Sequence, residues 1–119
     1  MKASAYIPHK FPSLNDYIRD CRANRYKGAA TKRDAETATW LYIRKMPEFK
    51  KPVRVSFIWH ERTRKRDLDN IAFAKKFILD ALVKSGKLEN DDPRHVVGFT
   101  DDFVHDPAGD GVLITVEEV

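Results

Sequence analysis

Apolar and polar positions alternate most regularly over Val53-Arg54-Val55-Ser56-Phe57-Ile58-Trp59, where Val53, Val55, Phe57 and Trp59 share one face. A period of two predicts a strand. Ile58 adds apolar character on the opposite face. The period then changes. Ile71, Ala74, Ile78, Ala81, Leu82 and Ser85 recur at helical spacing before Gly86, which predicts a helix over about 70–85. Residues 95–104 and 111–117 read as two closing strands, with Val112, Ile114 and Val116 on one face of the last and Leu113 opposite. Pro107-Ala108-Gly109-Asp110-Gly111 is turn composition, so the two strands are expected to form a hairpin.

The first half is less regular. Residues 3–9 alternate weakly and suggest a first strand. Pro12-Ser13-Leu14-Asn15 breaks it and offers a helix cap at Ser13 or Asn15. A short helix is expected from Asp16 to about Arg25, with Tyr17, Ile18 and Cys21 on one side. Tyr26 to Ala30, containing Gly28, reads as a loop. Thr31 then caps a second helix to about Lys45, with Ala35, Ala38, Trp40, Leu41 and Ile43 on its apolar side and Pro47 beyond its end. The order β, α, α, β, α, β, β predicts a small α+β domain spanning residues 1–119, a mixed or antiparallel sheet with helices packed on it.

Composition narrows the class. No apolar run reaches the ~18 residues of a membrane span, and residues Met1 to Pro8 lack the apolar centre of a signal peptide. Cys21 stands alone, which excludes an internal disulfide and a cysteine-based zinc site. A reducing cytoplasm is the expected location. The net charge of +4 hides an asymmetry: residues 1–87 hold 21 Lys/Arg against 9 Asp/Glu, and residues 88–119 hold 1 against 9. A basic face of this kind suits a polyanion such as nucleic acid, with a solvated surface of uneven charge as the plain alternative.

The chemistry is concentrated at Arg64-Lys65-Arg66-Asp67-Leu68-Asp69-Asn70. In an extended segment Asp67 and Asp69 point the same way and can meet one cation. All-oxygen ligands favour Mg²⁺ or Mn²⁺ over zinc. Arg62, Arg64, Lys65 and Arg66 would hold phosphates, and Asn70 could ligate, bind phosphate or cap the helix. The structural alternative for Asp69 is an N-cap. A metal phosphodiesterase needs three or four carboxylates to activate water and offset charge on the attacking and leaving oxygens. Asp91 and Asp92 would complete that count, although Asp-Asp-Pro is also ordinary turn composition. Lys76 lies on the helical stripe of Asp69, Phe73 and Asp80, where it could stabilise charge on the scissile phosphate. Its alternative role is a surface pair with Asp80. Lys75 falls on the core-facing stripe and is the reserve candidate. His60-Glu61 lacks the second histidine of a zinc helix, because position 64 is Arg.

Arg66-Asp67-Leu68-Asp69-Asn70, Lys76, Asp80-Ala81-Leu82, Gly86 and Asp91-Asp92, taken in order, resemble the RusA family of Holliday junction resolvases. The resemblance covers most of the chain, and the block from 66 to 92 is its specific part. It implies a homodimer that binds a four-way DNA junction and cuts two strands symmetrically with Mg²⁺ or Mn²⁺, in recombination and repair. It implies acids at Asp67, Asp69 and the Asp91-Asp92 pair, and a functional lysine at Lys76. The spacing from Asn70 to Asp80 is about one turn longer than the common pattern. Two opposed cuts also need two sites related by a two-fold axis, which one such domain does not supply. The competing reading is a module that binds branched or duplex DNA without cutting it.

Overall fold

The computed structural model describes all 119 residues. Four strands and four helices follow one another as β1 (Lys2–Ile7), α1 (Leu14–Ala23), α2 (Arg25–Ile43), β2 (Val53–Glu61), α3 (Leu68–Ala72), α4 (Lys75–Lys84), β3 (Val96–His105) and β4 (Gly111–Glu118). The strands form one mixed sheet in the order β1-β4-β2-β3. β4 pairs antiparallel with both β1 and β2, and β3 pairs parallel with β2. The expected α+β class therefore holds.

The expected closing hairpin does not form. β3 and β4 are consecutive, yet β2 lies between them. Their side chains give the reason. Val112, Ile114 and Val116 of β4 are fully buried, as a central strand requires. β3 carries Asp101 and Asp102 and leaves Val97, Phe99 and Val104 exposed, which suits an edge. The 106–110 connection crosses the end of β2, where Asp106 N–H donates to the Glu61 carbonyl and Arg62 N–H donates to Asp110 Oδ1 at 2.8 Å.

Val53, Val55, Phe57 and Trp59 all face the core, as their alternation predicts. Phe77, Ile78, Ala81 and Leu82 of α4 pack with them in one apolar cluster, joined by Ala35 and Ile43 of α2. Truncating a buried aromatic such as Phe57 to alanine costs ~3–5 kcal/mol at sites like this. α4 stops at Ser85, and Gly86 takes a φ of 78°, so Lys87 and Leu88 N–H both reach back to the Leu82 carbonyl.

The three expected helices each differ in extent from expectation, although the cap at Ser13 is one of the two expected. Ser13 caps α1 in a full capping box with Asp16. The segment Tyr26 to Ala30, expected to be a loop, is helical because Asn24 caps α2 by accepting from Lys27 N–H at 2.8 Å. Gly28 is then a close-packing position and not a turn: a Cβ there would lie 2.7 Å from Cys21 Sγ on α1. The helix expected over 70–85 is in fact two. α3 ends at Ala72, and i→i−3 bonds from Ala74, Lys76 and Phe77 N–H tighten the chain between α3 and α4.

Candidate active site

The acidic segment begins where β2 ends. Asp67 occupies the N-cap position of α3 with extended backbone, φ −70° and ψ 149°, yet its carboxylate makes no capping hydrogen bond. Asp69 lies in the first turn and accepts only from Asn70 N–H, at 3.0 Å. The cap position thus belongs to Asp67 and not Asp69, and neither carboxylate is used to fasten the helix. Both are exposed, and neither forms an ion pair. Two carboxylates one residue apart and free of ion pairs suit a hard divalent cation.

The preceding basic run divides into two kinds of residue. Arg66 donates Nε and Nη2 to the two oxygens of Glu61, each at 2.8 Å, and Nη1 to the Phe11 carbonyl, also at 2.8 Å. Its side chain is only 17% exposed. Arg66 is therefore a structural clamp, not the free phosphate grip expected from sequence. It joins the end of β2 to the β1–α1 connection and sets the chain direction into Asp67. Arg62, Arg64 and Lys65 are exposed and have no carboxylate partner. The Arg62 carbonyl accepts from His105 Nε2 at 3.1 Å when that nitrogen carries the proton. The basic loop is consequently held at Arg62 and at Arg66, with its cations outward.

Asp67, Asn70, Lys65 and Arg66 face Ser13, Asn15 and Asp16 across a recess of about 280 Å³ with no apolar lining residue. Asn15 and Asp16 had no place in the sequence-based site. Pro12-Ser13-Leu14-Asn15 carries the signal, but it reads as a helix start, and the Arg66 bond to Phe11 and the shared recess are what place this start against the acidic segment. Asp16 is partly committed, accepting from Ser13 N–H and pairing with Arg19 at 3.5 Å.

Asp91 and Asp92 are elsewhere. They precede β3, whose Val96 pairs with Val53 at the start of β2, whereas Asp67 follows the end of β2 at Glu61. β2 has 9 residues, so its ends stand about 26 Å apart at ~3.3 Å per residue. The α3–α4 segment covers that distance in returning along the sheet. One chain does not bring the two acidic pairs together, and it contains no group of three or more His, Cys, Asp or Glu able to hold a metal. The cluster of three or four carboxylates expected from sequence is absent from the single chain for this topological reason.

The later pair is also unequal. Asp92 accepts from Arg94 Nη2 at 2.8 Å and contacts His95 Nδ1 at 2.7 Å. The Arg94 side chain first, and His95 after it, hold its carboxyl down to about 2. The Asp91 side chain is exposed and has no such partner. Asp92 shapes the turn, and Asp91 is left free to bind.

Lys76 and Lys75 separate clearly. Lys76 Nζ lies 3.3 Å from Asp80 Oδ1 and remains 62% exposed. Asp80 is shared with Lys32 of α2 at 3.5 Å. The break between α3 and α4 interrupts the stripe that was to carry Asp69 into Lys76, and only the Lys76–Asp80 part survives. Lys75 pairs with Asp101 on β3 and sits over the rings of Phe57 and Phe99, 5.6 and 5.0 Å from their centroids. Trp59 Nε1 donates to the other oxygen of Asp101 at 2.9 Å. Lys75 is thus committed to the fold rather than presented to DNA.

No helix is long and apolar enough to cross a membrane. No curated protein gives a significant match to the sequence. A family model described as Endodeoxyribonuclease RusA matches residues 1–117. The match takes in the basic loop, the paired acids and the sheet up to residue 117 of β4, and so this chain belongs to the RusA family of endodeoxyribonucleases.

Proposed function

We propose that the chain is a divalent-metal-dependent endonuclease that resolves four-way DNA junctions in recombination and repair, and that it works as a homodimer. One observation carries this reading: two carboxylates without an ion pair, Asp67 and Asp69, stand beside three cations without one, Arg62, Arg64 and Lys65. Such an arrangement leaves the acids open to a divalent cation and the bases open to a polyanion.

Asp67 and Asp69 supply half of an oxygen-ligand set for Mg²⁺ or Mn²⁺. The other half, Asp91 with Asp92 orienting its turn, cannot come from the same chain, so it comes from the two-fold-related copy. When bound, the metal supplies an activated water and offsets charge on the phosphate oxygens. The residues of the chain do the rest. Arg62, Arg64 and Lys65 hold the backbone phosphates that flank the cut. Asn70 offers its amide at the floor of the polar recess. Lys76 exchanges its exposed pair with Asp80, worth only ~0.3–0.5 kcal/mol, for the phosphate at which charge builds. A dimer places two such sites about one axis, as paired cuts in opposing strands require.

The test is cleavage of a synthetic mobile junction with Mg²⁺, with products mapped on all four strands. Wild type should cut two opposing strands symmetrically. Asp69→Asn should bind the junction as well or better, because it removes negative charge, and should not cut it. Cutting by Asp69→Asn at the wild-type rate would remove the metal role. Binding by wild type with no metal-stimulated product would favour a module that binds without cutting.

A further inference from the structure

A second recess adjoins the acidic segment and is unlike the polar one. It has a volume of about 320 Å³ and lies on the β3 side of α3. Leu68, Ile71, Phe103 and Val104 form its apolar walls, and Arg64 and Arg66 are among its polar ones. That volume is ample for one flat heterocycle. Leu68 is the residue between Asp67 and Asp69, and it is 56% exposed. Lone exposed leucines are ordinary. This one is continuous with a buried isoleucine and with a half-buried phenylalanine on an edge strand that no further strand covers.

We infer that this cleft receives one unstacked nucleobase of the bound DNA strand, with Phe103 as its stacking surface. The inference rests on the proposed nuclease reading and deepens it, because it makes the cleft a determinant of where the strand is cut. Three features support this occupant. The first is chemical: an aromatic and aliphatic wall accepts the face of any base, and the cations beside it suit the phosphates that a base carries with it. The second is charge complementarity. Arg64 lines the cleft and, with Arg62 and Lys65 in the same loop, has no protein counter-ion, so the phosphates either side of an inserted base have partners. The third is position. The cleft and the candidate metal ligands share the Asp67-Leu68-Asp69 segment, so a base held here fixes the register of a neighbouring phosphate on the two carboxylates. A base already unpaired, as at a junction crossover, enters at the least cost. Glu61 and Arg66 also border the cleft, but they bond each other, which leaves the apolar walls as the main contact.

The test uses full-length protein, metal-free, on junctions carrying 2-aminopurine at successive positions across the crossover. Wild type should raise the fluorescence of one position severalfold as that base unstacks from its neighbours. Phe103→Leu should lose that signal and flatten the differences in cutting rate among junction sequences by about tenfold, while Phe103→Tyr keeps both. Junction binding by gel shift and Mg²⁺-dependent cutting are measured in parallel. If wild type binds and cuts but no position responds, the base site is wrong and the nuclease reading stands. If wild type neither binds nor cuts junctions, the nuclease reading itself fails. If Phe103→Leu changes the oligomeric state and leaves the 2-aminopurine signal intact, the cleft belongs to the contact between copies, and the inference is overturned.

Discussion

Arg66 and Glu61 face each other in a two-pronged contact, both N···O distances 2.8 Å, with Arg66 also bonded to the carbonyl of Phe11. This contact decides how the basic run behaves. Arg66→Ala leaves the Glu61 carboxylate, itself only 12% exposed, without its partner. Hydrogen bonds to charged groups are worth ~1.5–3 kcal/mol, so a loss of about 2 kcal/mol is expected in urea unfolding. Arg64→Ala should leave stability within ~0.5 kcal/mol and reduce the salt slope of junction binding by about 1. Equal effects of the two substitutions on stability would contradict the division between clamp and grip.

The two adjacent lysines should separate in the same way. Lys75→Ala leaves Asp101 without its cation on the sheet and should cost ~1–3 kcal/mol of stability. Lys76→Ala removes an exposed helix pair and should cost no more than ~0.5 kcal/mol, while slowing cutting at saturating junction. Single-turnover rates beside thermal melts decide this. A Lys76→Ala enzyme with wild-type single-turnover rate would remove Lys76 from the chemistry.

Mixing two inactive variants tests the shared site directly. In a mixed dimer of Asp69→Asn with Asp91→Asn, a site built from both chains places both substitutions in one site and leaves the other whole. Nicking of one junction strand should therefore return on mixing. If each chain held its own complete site, every site in the mixture would carry one substitution, and no activity would return.

The acid limb of stability should depend on Asp92. Its carboxyl is lowered from 3.8 to about 2 in the folded chain, through Arg94 first and His95 second. A lowered folded-state value means the contribution is complete above the unfolded value and is lost as pH falls through the folded one. Asp92→Asn should therefore flatten the dependence of stability on pH between about 4 and 2 relative to wild type. An unchanged slope in urea titrations across that window would show that Asp92 is not held by these partners.

Most of the fold is legible in the sequence, and what is not has identifiable causes. The strand over Val53 to Trp59 and the last strand follow from apolar alternation, which burial enforces. The placement of β4 between β1 and β2 does not, because alternation shows which face is buried and not which neighbour is paired. Gly28 reads as a loop residue in one dimension and becomes a helix-crossing residue only when Cys21 is known to lie against it. Asp67 and Asp69 can be found from spacing and flanking charge. The separation of Asp91 from them cannot, since it arises from the parallel pairing of β2 and β3. The exchange of roles between Arg66 and its neighbours is likewise invisible, because its partner Phe11 contributes a main-chain carbonyl, which leaves no mark on residue type.

The basic loop is fixed at Arg62 by Asp110 and His105 and at Arg66 by Glu61 and Phe11. Surface loops generally tolerate inserted or deleted residues. This one does not have that freedom. Thr63, Arg64 and Lys65 bridge two fastened points, so adding one glycine would either buckle the span outward or pull Arg66 off Glu61. Removing one residue would draw Asp67 back toward the sheet. The length of this loop, and not only its charge, is therefore a constraint on any active member built on the same frame.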